Sequence, residues 1–461
     1  MKIFDTHLSK KIEFTPLVDG EISMYVCGPT VYDLAHLGHG RSAVSFDVMR
    51  RYFLFKGFEV KFVSNYTDID DKMINRANDE SITVPELANK IIPEYAEDYG
   101  KLGVMIPTVQ PKATDYIEGM IDIISKLEER GHVYSLDDGV YFDVSSYEKY
   151  GEFSGQNLDE LQMGSRVDVK DSKRNPQDFV LWKFKKDGEP FWPSPWGDGR
   201  PGWHIECSAM SFAELGEKFD IHGGGLDLKF PHHECEVAQS CAVFGEDSFA
   251  QHWMHNGFIQ IDNEKMSKSL GNFFTLREIF QKYDPRVVRF MFLQTHYRNP
   301  VNFSDVLLDQ AKAGLERIHN FYRYYADLDL STLPDGNGDG LWGKECLESF
   351  ADSMDNDFDT SGGLGAVFHM ISSINSMSTL GTLTSDQVQS ALEAISAVDK
   401  VFAVLIPENE TIDDEIEALI KEREEARANK DWAKSDSIRD DLKSRGIELD
   451  DTPNGTLWKR V

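Results

Sequence analysis

The N-terminal region alternates short apolar segments with one long amphipathic segment. EISMYVCG (21–28) is an apolar run that ends in glycine, and FEVKFVSNYTDIDD (58–71) is a second run that enters an acidic turn. Between them, RSAVSFDVMRRYFLFKG (41–57) carries apolar residues at helical spacing. This order predicts a strand, a helix and a second strand. Strands joined by a helix pair in parallel, so the pattern restricts the fold to an α/β unit of the nucleotide-binding type.

An insertion is predicted to interrupt this α/β unit, which then resumes and is followed by further domains. With 461 residues the chain is too long for one core, and about two to four domains are expected. The α/β pattern resumes at WHIECSAM (203–210) and ends after the strand GFIQI (257–261). The predicted domains are a Rossmann-type α/β domain at 1–115 and 201–262, an insertion at 116–200, a loop region at 263–305, a helical bundle at 306–400 and a C-terminal region at 401–461.

The C-terminal third is predicted to be helical. The stretches at 307–328 and 352–377 carry an apolar stripe at helical spacing, and the glycine-rich LPDGNGDG (333–340) forms a loop between them. A charged segment at 413–446 predicts a single helix that ends at a glycine. A short tail, IELDDTPNGTLWKRV (447–461), follows this helix.

Composition excludes several classes of protein. The chain has 48 Lys and Arg against 79 Asp and Glu, a net charge of −31, which argues against non-specific coating of nucleic acid but permits a specific nucleic-acid partner. Its 5 cysteines have no regular spacing, so a disulfide scaffold is not expected. No stretch has the length of a signal peptide or a membrane span, which predicts a cytosolic protein with no membrane partner.

Two loops carry candidate phosphate ligands. HLGH (36–39) lies between a predicted strand and a predicted helix, where His36, His39 and the helix N-terminus can bind one phosphate group. KMSKS (265–269) places Lys265 and Lys268 in a loop before another predicted helix, where they can hold a triphosphate as it breaks between its α and β groups. Each pattern alone is weak. Together, in this order and on these elements, they resemble the two signatures of class I aminoacyl-tRNA synthetases.

The segment FPHHECE (230–236) predicts part of a metal site. If Pro231 begins a helix, His232 and Glu236 lie four residues apart on the same face. Cys27 and Cys207 both flank the expected crevice at the strand ends, and with this pair they form a sulfur, sulfur, nitrogen and oxygen set that suits zinc. Cys235 is an alternative ligand, and simple burial of the thiol and imidazole groups is the alternative to a metal site.

Longer motifs extend the resemblance to one family. They closely resemble those of the cysteinyl-tRNA synthetases, from about residue 2 to the C-terminus. The motifs are MYVCGPTVYD, NYTDIDDK, RNPQDFVLWK, PGWHIECSAM, DIHGGGLDLKFPHHE, EKMSKSLGNF, DNDFDT and NKDWAKSDSIRD. The resemblance implies a class I synthetase catalytic domain with an insertion, an α-helical bundle and a small C-terminal anticodon-binding domain. It also implies ATP-dependent activation of L-cysteine to cysteinyl-adenylate and transfer of cysteine to the 3′ end of tRNA-Cys.

The resemblance also assigns roles to individual residues. One Zn²⁺ per subunit would be held by Cys27, Cys207, His232 and Glu236 and would bind the substrate thiolate. Mg²⁺ would accompany ATP, and the protein would be a monomer. The remaining residues are Gly28, Thr67, Trp203 and Asp227 for the amino acid, Gly223, Gly224, Gly225 and Lys268 for ATP, His36, His39, Lys265 and Lys268 for catalysis, and Arg427, Trp432 and Asp436 for the anticodon.

Two other functions remain possible from the sequence. One is the cysteine ligase of mycothiol synthesis, a paralogue with the zinc site and both loops but no tRNA-binding tail. The other is a zinc-stabilised, nucleotide-binding paralogue without catalysis, which would be expected to have damaged signature loops. The intact loops and the NKDWAKSDSIRD segment (429–440) favour the synthetase over both.

Overall fold

A computed structural model of the protein describes residues 1–156, 172–261, 264–266, 273–336, 338, 341–408, 414–445, 447–452 and 455–460. The strands are Lys2–Asp5 (β1), Lys10–Glu13 (β2), Glu21–Val26 (β3), Glu59–Ser64 (β4), Val133–Leu136 (β5), Gly139–Phe142 (β6), Phe179–Phe184 (β7), Gly199–Pro201 (β8), Lys218–Gly225 (β9), Phe249–Asn256 (β10), Ile259–Ile261 (β11), Glu264–Lys265 (β12), Val301–Asn302 (β13), Ile447–Thr452 (β14) and Gly455–Arg460 (β15).

The α-helices in the described part of the chain are Leu37–Phe55 (α1), Asp71–Glu80 (α2), Val84–Lys101 (α3), Ile117–Glu129 (α4), Trp203–Leu215 (α5), Glu234–Phe244 (α6), Leu276–Phe280 (α7), Pro285–Leu293 (α8), Asp305–Ala326 (α9), Trp342–Asp355 (α10), Thr360–Leu380 (α11), Ser385–Phe402 (α12), Asp414–Ala428 (α13) and Trp432–Ser444 (α14). None of them combines the length and hydropathy that a bilayer crossing requires.

The central sheet is parallel and has the strand order β10-β9-β3-β4. The chain passes from β3 through α1 to β4 on one side of β3, whereas β9 lies on the other side. The strand order therefore reverses between β3 and β9, and in open α/β sheets ligands bind at the carboxyl ends of the strands at such a point. The predicted strand–helix–strand unit is present, and the Rossmann-type fold class is confirmed.

The last strand of this sheet differs from the sequence-based expectation. The sheet ends with β10, and the predicted final strand, GFIQI, contributes β11 to a separate three-stranded sheet of order β12-β11-β13. The β10 sequence, FAQHWMHN, mixes polar and apolar side chains although most of them are buried. A buried strand of this composition lacks the apolar run by which a strand is recognised from sequence.

The segment between α4 and α5 forms its own sheet. Strands β5, β6, β7 and β8 pair in an antiparallel meander. The meander coincides with the insertion predicted at 116–200, and its last strand ends one residue later, at Pro201. The chain divides into two compact units: the first comprises 1–313, 348–366 and 400–404, and the second comprises 314–347, 367–399 and 405–461. The domain boundaries given above from the sequence remain a prediction.

Two predicted helical stretches are broken by left-handed residues. Between α10 and α11, Asp357 and Phe358 have φ values of 74° and 53°. The buried Asp357 carboxylate accepts hydrogen bonds from the Phe4 N–H at 2.8 Å and the Tyr297 hydroxyl at 2.9 Å. These contacts, remote in sequence, hold a conformation that helical spacing alone does not predict.

The C-terminal charged segment also departs from the prediction. It forms two helices, α13 and α14, because the chain turns at Lys430, where φ is 59°. The tail, to which the sequence assigned no secondary structure, is a β-hairpin of β14 and β15. Both helices and the first hairpin strand share one apolar core, which consists of Ile416, Ile420, Ile438, Leu442, Ile447 and Leu449.

A buried arginine joins three parts of the first unit. Arg289 on α8 donates to the Asp47 carboxylate and the Phe402 carbonyl, both at 2.6 Å, and to the Leu102 carbonyl at 2.9 Å. The Arg289 and Asp47 side chains are 0% and 1% exposed. The Asp47 carboxylate also forms an ion pair with Arg51 at 2.8 Å, so the buried Arg289 charge lies within a group of paired charges.

Substitution of this arginine tests its structural role. We expect Arg289→Met to lower the free energy of unfolding by about 3–5 kcal/mol, because the Asp47 carboxylate loses a buried partner. Urea denaturation followed by circular dichroism measures the change. The matched variant Arg286→Met, on the same helix and paired with Asp284 near the surface, should cost less than about 1 kcal/mol. Equal losses in the two variants would contradict the role of Arg289.

Candidate active site and metal centre

A cavity of about 700 Å³ lies at the carboxyl ends of the parallel strands. Its wall is formed by residues from β3, β9, α1, α3 and the loops that follow them. The predicted site residues that line it are Cys27, Gly28, His36, His39, Trp203, Gly225 and Asp227. The structure therefore brings candidate residues for the metal, the amino acid and the phosphates to one cavity.

Four predicted metal ligands converge beside this cavity. The ligand atoms of Cys27, Cys207, His232 and Glu236 all lie within 4.8 Å of one another. The two sulfur atoms are 3.6 Å apart, and the Glu236 carboxylate is 2.9 Å from His232 Nε2 and 3.7 Å from Cys27 Sγ. Two sulfurs, an imidazole nitrogen and a carboxylate oxygen at these separations fit a tetrahedral zinc ion.

Separate elements carry the four side chains. Cys27 follows β3, and its N–H donates to the Gly223 carbonyl at 3.0 Å, which continues the pairing with β9. Cys207 lies on α5 and Glu236 on α6. His232 lies in a π-helical turn at Lys229–His233, in which Phe230 has the non-helical φ and ψ values of −140° and 133°. Helical backbone therefore begins at Pro231 and continues into α6 at Glu234, and the His232 and Glu236 side chains meet as the four-residue spacing predicts.

Burial and mutual contacts shift the protonation of this group. A hydrogen bond from Cys27, opposed by burial, lowers the pKa of the Cys207 thiol to about 6. Burial acts to lower the pKa of His232, but Glu236 and Cys207 raise it to about 10. Burial acts to raise the pKa of Glu236, and the neighbouring histidines hold it well below its usual value. Thiolate and carboxylate are the forms that bind a metal ion.

Sequence reasoning missed a second histidine at Glu236. His222 on β9 is fully buried, and its Nε2 lies 2.7 Å from Glu236 Oε2. A second converging group consists of Cys27, His222, His233 and Glu236. A sequence signal was available, because His222 immediately precedes the glycine run at the end of β9, the strand that pairs beside Cys27.

The alternative ligand Cys235 lies elsewhere. Its sulfur is 3.5 Å from the Tyr150 hydroxyl, and it belongs to neither group of converging donors found among the described residues. The neighbouring Glu234 accepts backbone hydrogen bonds from Gly151 at 2.8 Å and Ser154 at 2.7 Å. Both side chains therefore contact the insertion and not the four ligands.

The predicted amino-acid residues occupy different environments. Trp203 stacks on His232 with ring centroids 4.2 Å apart, and it is 37% exposed. Asp227 is exposed at the cavity wall. Thr67 is buried, its hydroxyl donates to Glu206 Oε2 at 3.0 Å, and it is not among the described residues that line the cavity.

The glycines at the strand ends permit close backbone approach. A Cβ atom on Gly28 would lie 1.6 Å from the Asn65 carbonyl oxygen, and one on Gly223 would lie 2.3 Å from the Phe46 ring. A Cβ on Gly224 would meet Leu228 at 2.9 Å. A side chain at position 28 would therefore displace backbone at the strand ends, whereas one at 223 or 224 would first have to displace the Phe46 or Leu228 side chain.

The two signature histidines cap α1. The His36 and His39 rings stack with centroids 3.5 Å apart, and each Nδ1 atom accepts the backbone N–H of the other residue. In KMSKS, the backbone of Lys265 belongs to β12 and Met266 lines the cavity. Lys268 and the side chain of Lys265 lie outside the described residues.

The predicted anticodon residues lie around the turn between the last two helices. Arg427 is on the last turn of α13, and Trp432 and Asp436 are on α14, one helical turn apart. Trp432 is 58% exposed, and Asp436 is also exposed. An aromatic ring, an acid and a cation are therefore grouped along a short stretch of the C-terminal region.

Three family models match consecutive parts of the chain. The model described as the catalytic domain of class I (C) tRNA synthetases matches residues 13–313, a DALR domain matches 349–406, and the cysteinyl-tRNA ligase anticodon binding domain matches 409–458. A cysteine–tRNA ligase from Geobacter metallireducens is 48% identical over 100% of this chain and 99% of its own length. The chain belongs to the cysteinyl-tRNA synthetase family. Its function is that of a cysteine–tRNA ligase, with an amino acid, ATP and tRNA as substrates.

Solved structures of lower identity share the fold. The LeuRS of Agrobacterium radiobacter, in a ternary complex with tRNA and LeuAMS, has a TM-score of 0.65 at 10% identity and covers 85% of each chain. A methionyl-tRNA synthetase of Mycobacterium tuberculosis with methionyl-adenylate has a TM-score of 0.60 at 13% identity, covering 83% of this chain and 92% of its own. The match to an anticodon-binding domain and the full-length relative do not favour the mycothiol ligase or the non-catalytic paralogue.

The close approach of Gly28 to Asn65 generates a prediction for this site. Gly28→Ala should reduce cysteine activation about 100-fold, because an added methyl group displaces the strand end that carries Cys27. It should also lower the free energy of unfolding by about 1–3 kcal/mol. Pyrophosphate exchange and urea denaturation measure the two effects.

A glycine on an open helix surface serves as the control. A Cβ atom on Gly119 in α4 would meet nothing within 4 Å. Gly119→Ala should therefore leave exchange unchanged and stabilise the protein by about 0.5–1 kcal/mol. Full activity of Gly28→Ala would show that the site tolerates movement of this strand end.

Proposed function

We propose that this cysteine–tRNA ligase selects L-cysteine through a zinc ion held by Cys27, Cys207, His232 and Glu236. The observation that carries the proposal is the convergence of these four side chains, from three separate segments of the chain, beside the cavity. When bound there, zinc supplies an ion that accepts a sulfur ligand in preference to a hydroxyl group. Serine would lose a ligand bond and not merely an apolar contact, so no editing step is needed to reject it.

The position of the four side chains supports entry of the substrate from one side. Cys27 lines the cavity, while Cys207, His232 and Glu236 are 2%, 1% and 0% exposed. Trp203 stacks on His232 and also lines the cavity. The substrate side chain would therefore approach between Cys27 and Trp203. Asp227 at the same wall would pair with the substrate ammonium group. Gly28 would line the amino-acid pocket, and the buried Thr67 would support it from outside the cavity lining.

The signature loops would carry out the chemistry of activation. The cysteine carboxylate attacks the α-phosphorus of ATP, which forms cysteinyl-adenylate and releases pyrophosphate. His36 and His39 would donate hydrogen bonds to the α-phosphate as negative charge develops. Lys265 and Lys268, together with Mg²⁺, would hold the departing pyrophosphate. The backbone of Gly223, Gly224 and Gly225 would approach the adenosine.

Transfer to tRNA completes the reaction. The terminal ribose hydroxyl of tRNA-Cys attacks the adenylate carbonyl, forms the ester and releases AMP. Arg427, Trp432 and Asp436 would recognise the anticodon, because splayed bases stack on aromatic rings and form hydrogen bonds with charged side chains. We infer that one chain, acting as a monomer, contains all of these parts.

Cobalt replacement tests the metal proposal. Protein prepared with Co²⁺ should show a sulfur-to-cobalt charge-transfer band that intensifies when cysteine is added and is unaffected by serine. A band that does not respond to cysteine would mean that the metal is structural and does not contact the substrate. Cys207→Ser should lose most of its bound metal and its discrimination against serine. The control Cys235→Ser should keep both.

Substitution of the exposed tryptophan tests anticodon recognition. Trp432→Ala should raise the KM for tRNA-Cys about tenfold or more, since stacking of one base on an aromatic ring contributes about 1–3 kcal/mol. Pyrophosphate exchange without tRNA should not change. Trp432→Phe should retain most of the affinity because a ring remains. Loss of exchange in Trp432→Ala would instead indicate a folding role.

A further inference from the structure

A buried tyrosine contacts the second signature histidine. Tyr95 lies on α3 and is 1% exposed, and its hydroxyl oxygen is 3.2 Å from His39 Nδ1. Its ring is fixed edge-on against Tyr66 and Tyr99, with centroid distances of 6.4 and 5.7 Å. No sequence motif indicated Tyr95, because the contact joins α3 to the N-terminus of α1.

The contacts of His39 determine which ring nitrogen carries a proton. The His36 backbone N–H points at the same Nδ1 atom at 3.3 Å. A backbone N–H can only donate, so Nδ1 must be the acceptor and cannot carry a hydrogen. In the neutral ring the proton is then on Nε2.

We propose that Tyr95 is a positioning residue that donates its hydroxyl hydrogen to His39 Nδ1 and, together with the His36 N–H, holds His39 with its proton on Nε2. The inference rests on the proposed role of His39 as a donor to the α-phosphate. Phosphate oxygens only accept hydrogen bonds, so a ring with its proton on Nδ1 would present an acceptor to an acceptor. A correct tautomer thus contributes to the rate of activation and not to cysteine binding.

The environment of Tyr95 suits a permanent donor. Burial, with smaller contributions from nearby tyrosines and Asp33, raises the pKa of the Tyr95 phenol well above its usual value. The hydroxyl therefore keeps its hydrogen at every pH at which the enzyme works. Its position on a helix packed within the same unit fixes the ring, so that the donor does not have to be ordered when ATP binds.

Removal of one hydroxyl group tests this role in the full-length protein. Tyr95→Phe keeps the ring and should lower the kcat of cysteine-dependent ATP–pyrophosphate exchange about tenfold, which corresponds to about 1.4 kcal/mol of barrier. The KM for cysteine should change less than about twofold. The matched control is Tyr52→Phe on α1, where an equally buried tyrosine hydroxyl donates to Asp355 at 2.8 Å. It should lose comparable thermal stability with no change in kcat.

A double-mutant cycle shows whether Tyr95 acts through His39. His39→Ala should lower kcat about 100-fold or more, and adding Tyr95→Phe to it should cause no further loss. Equal losses in both backgrounds, or an unchanged kcat in Tyr95→Phe, would overturn the inference and leave the role of His39 intact. An active His39→Ala protein would instead refute the proposed role of His39 itself.

Discussion

The structure depends on the parallel pairing of β3 with β9. The hydrogen bond from the Cys27 N–H to the Gly223 carbonyl carries this pairing one residue beyond β3, to the edge where the chain leaves the sheet. Strand order reverses here, so the loops after the two strands diverge and leave a crevice. Cys27 and the glycine run are brought together by this pairing, although they are separated by almost two hundred positions in the printed sequence.

Placing four polar ligands in a buried site has an energetic cost that the neighbouring groups offset. A buried carboxylate is unfavourable unless it is paired, and Glu236 has both His222 and His232 within hydrogen-bonding distance. His232 in turn has His204 Nδ1 at 2.9 Å from its own Nδ1 and Trp203 stacked on its ring. The ligand atoms are thus oriented by groups that are themselves fixed, which is the arrangement expected around a selective metal site.

Local signals predicted β3, α1 and β4 of the catalytic sheet, but neither the strand β10 nor the points where the C-terminal helices end. The apolar run before Cys27 and the periodic segment after HLGH correspond to β3 and α1. The spacing of apolar residues gives no signal for the left-handed turns at Asp357 and Lys430. Asp357 is held by Phe4 and Tyr297, which no local pattern connects to it.

The sequence by itself determined the class of chain: an α/β unit with an insertion, a family resemblance and the residue types of a zinc site. These follow from local spacing and from motifs, each of which lies within one short segment. Only the tertiary structure decided that Cys235 faces Tyr150, that His222 meets Glu236, and that Tyr95 contacts His39. The reason is physical: side-chain contacts between separate elements depend on how strands and helices pack, and residue spacing within one segment carries no information about that packing.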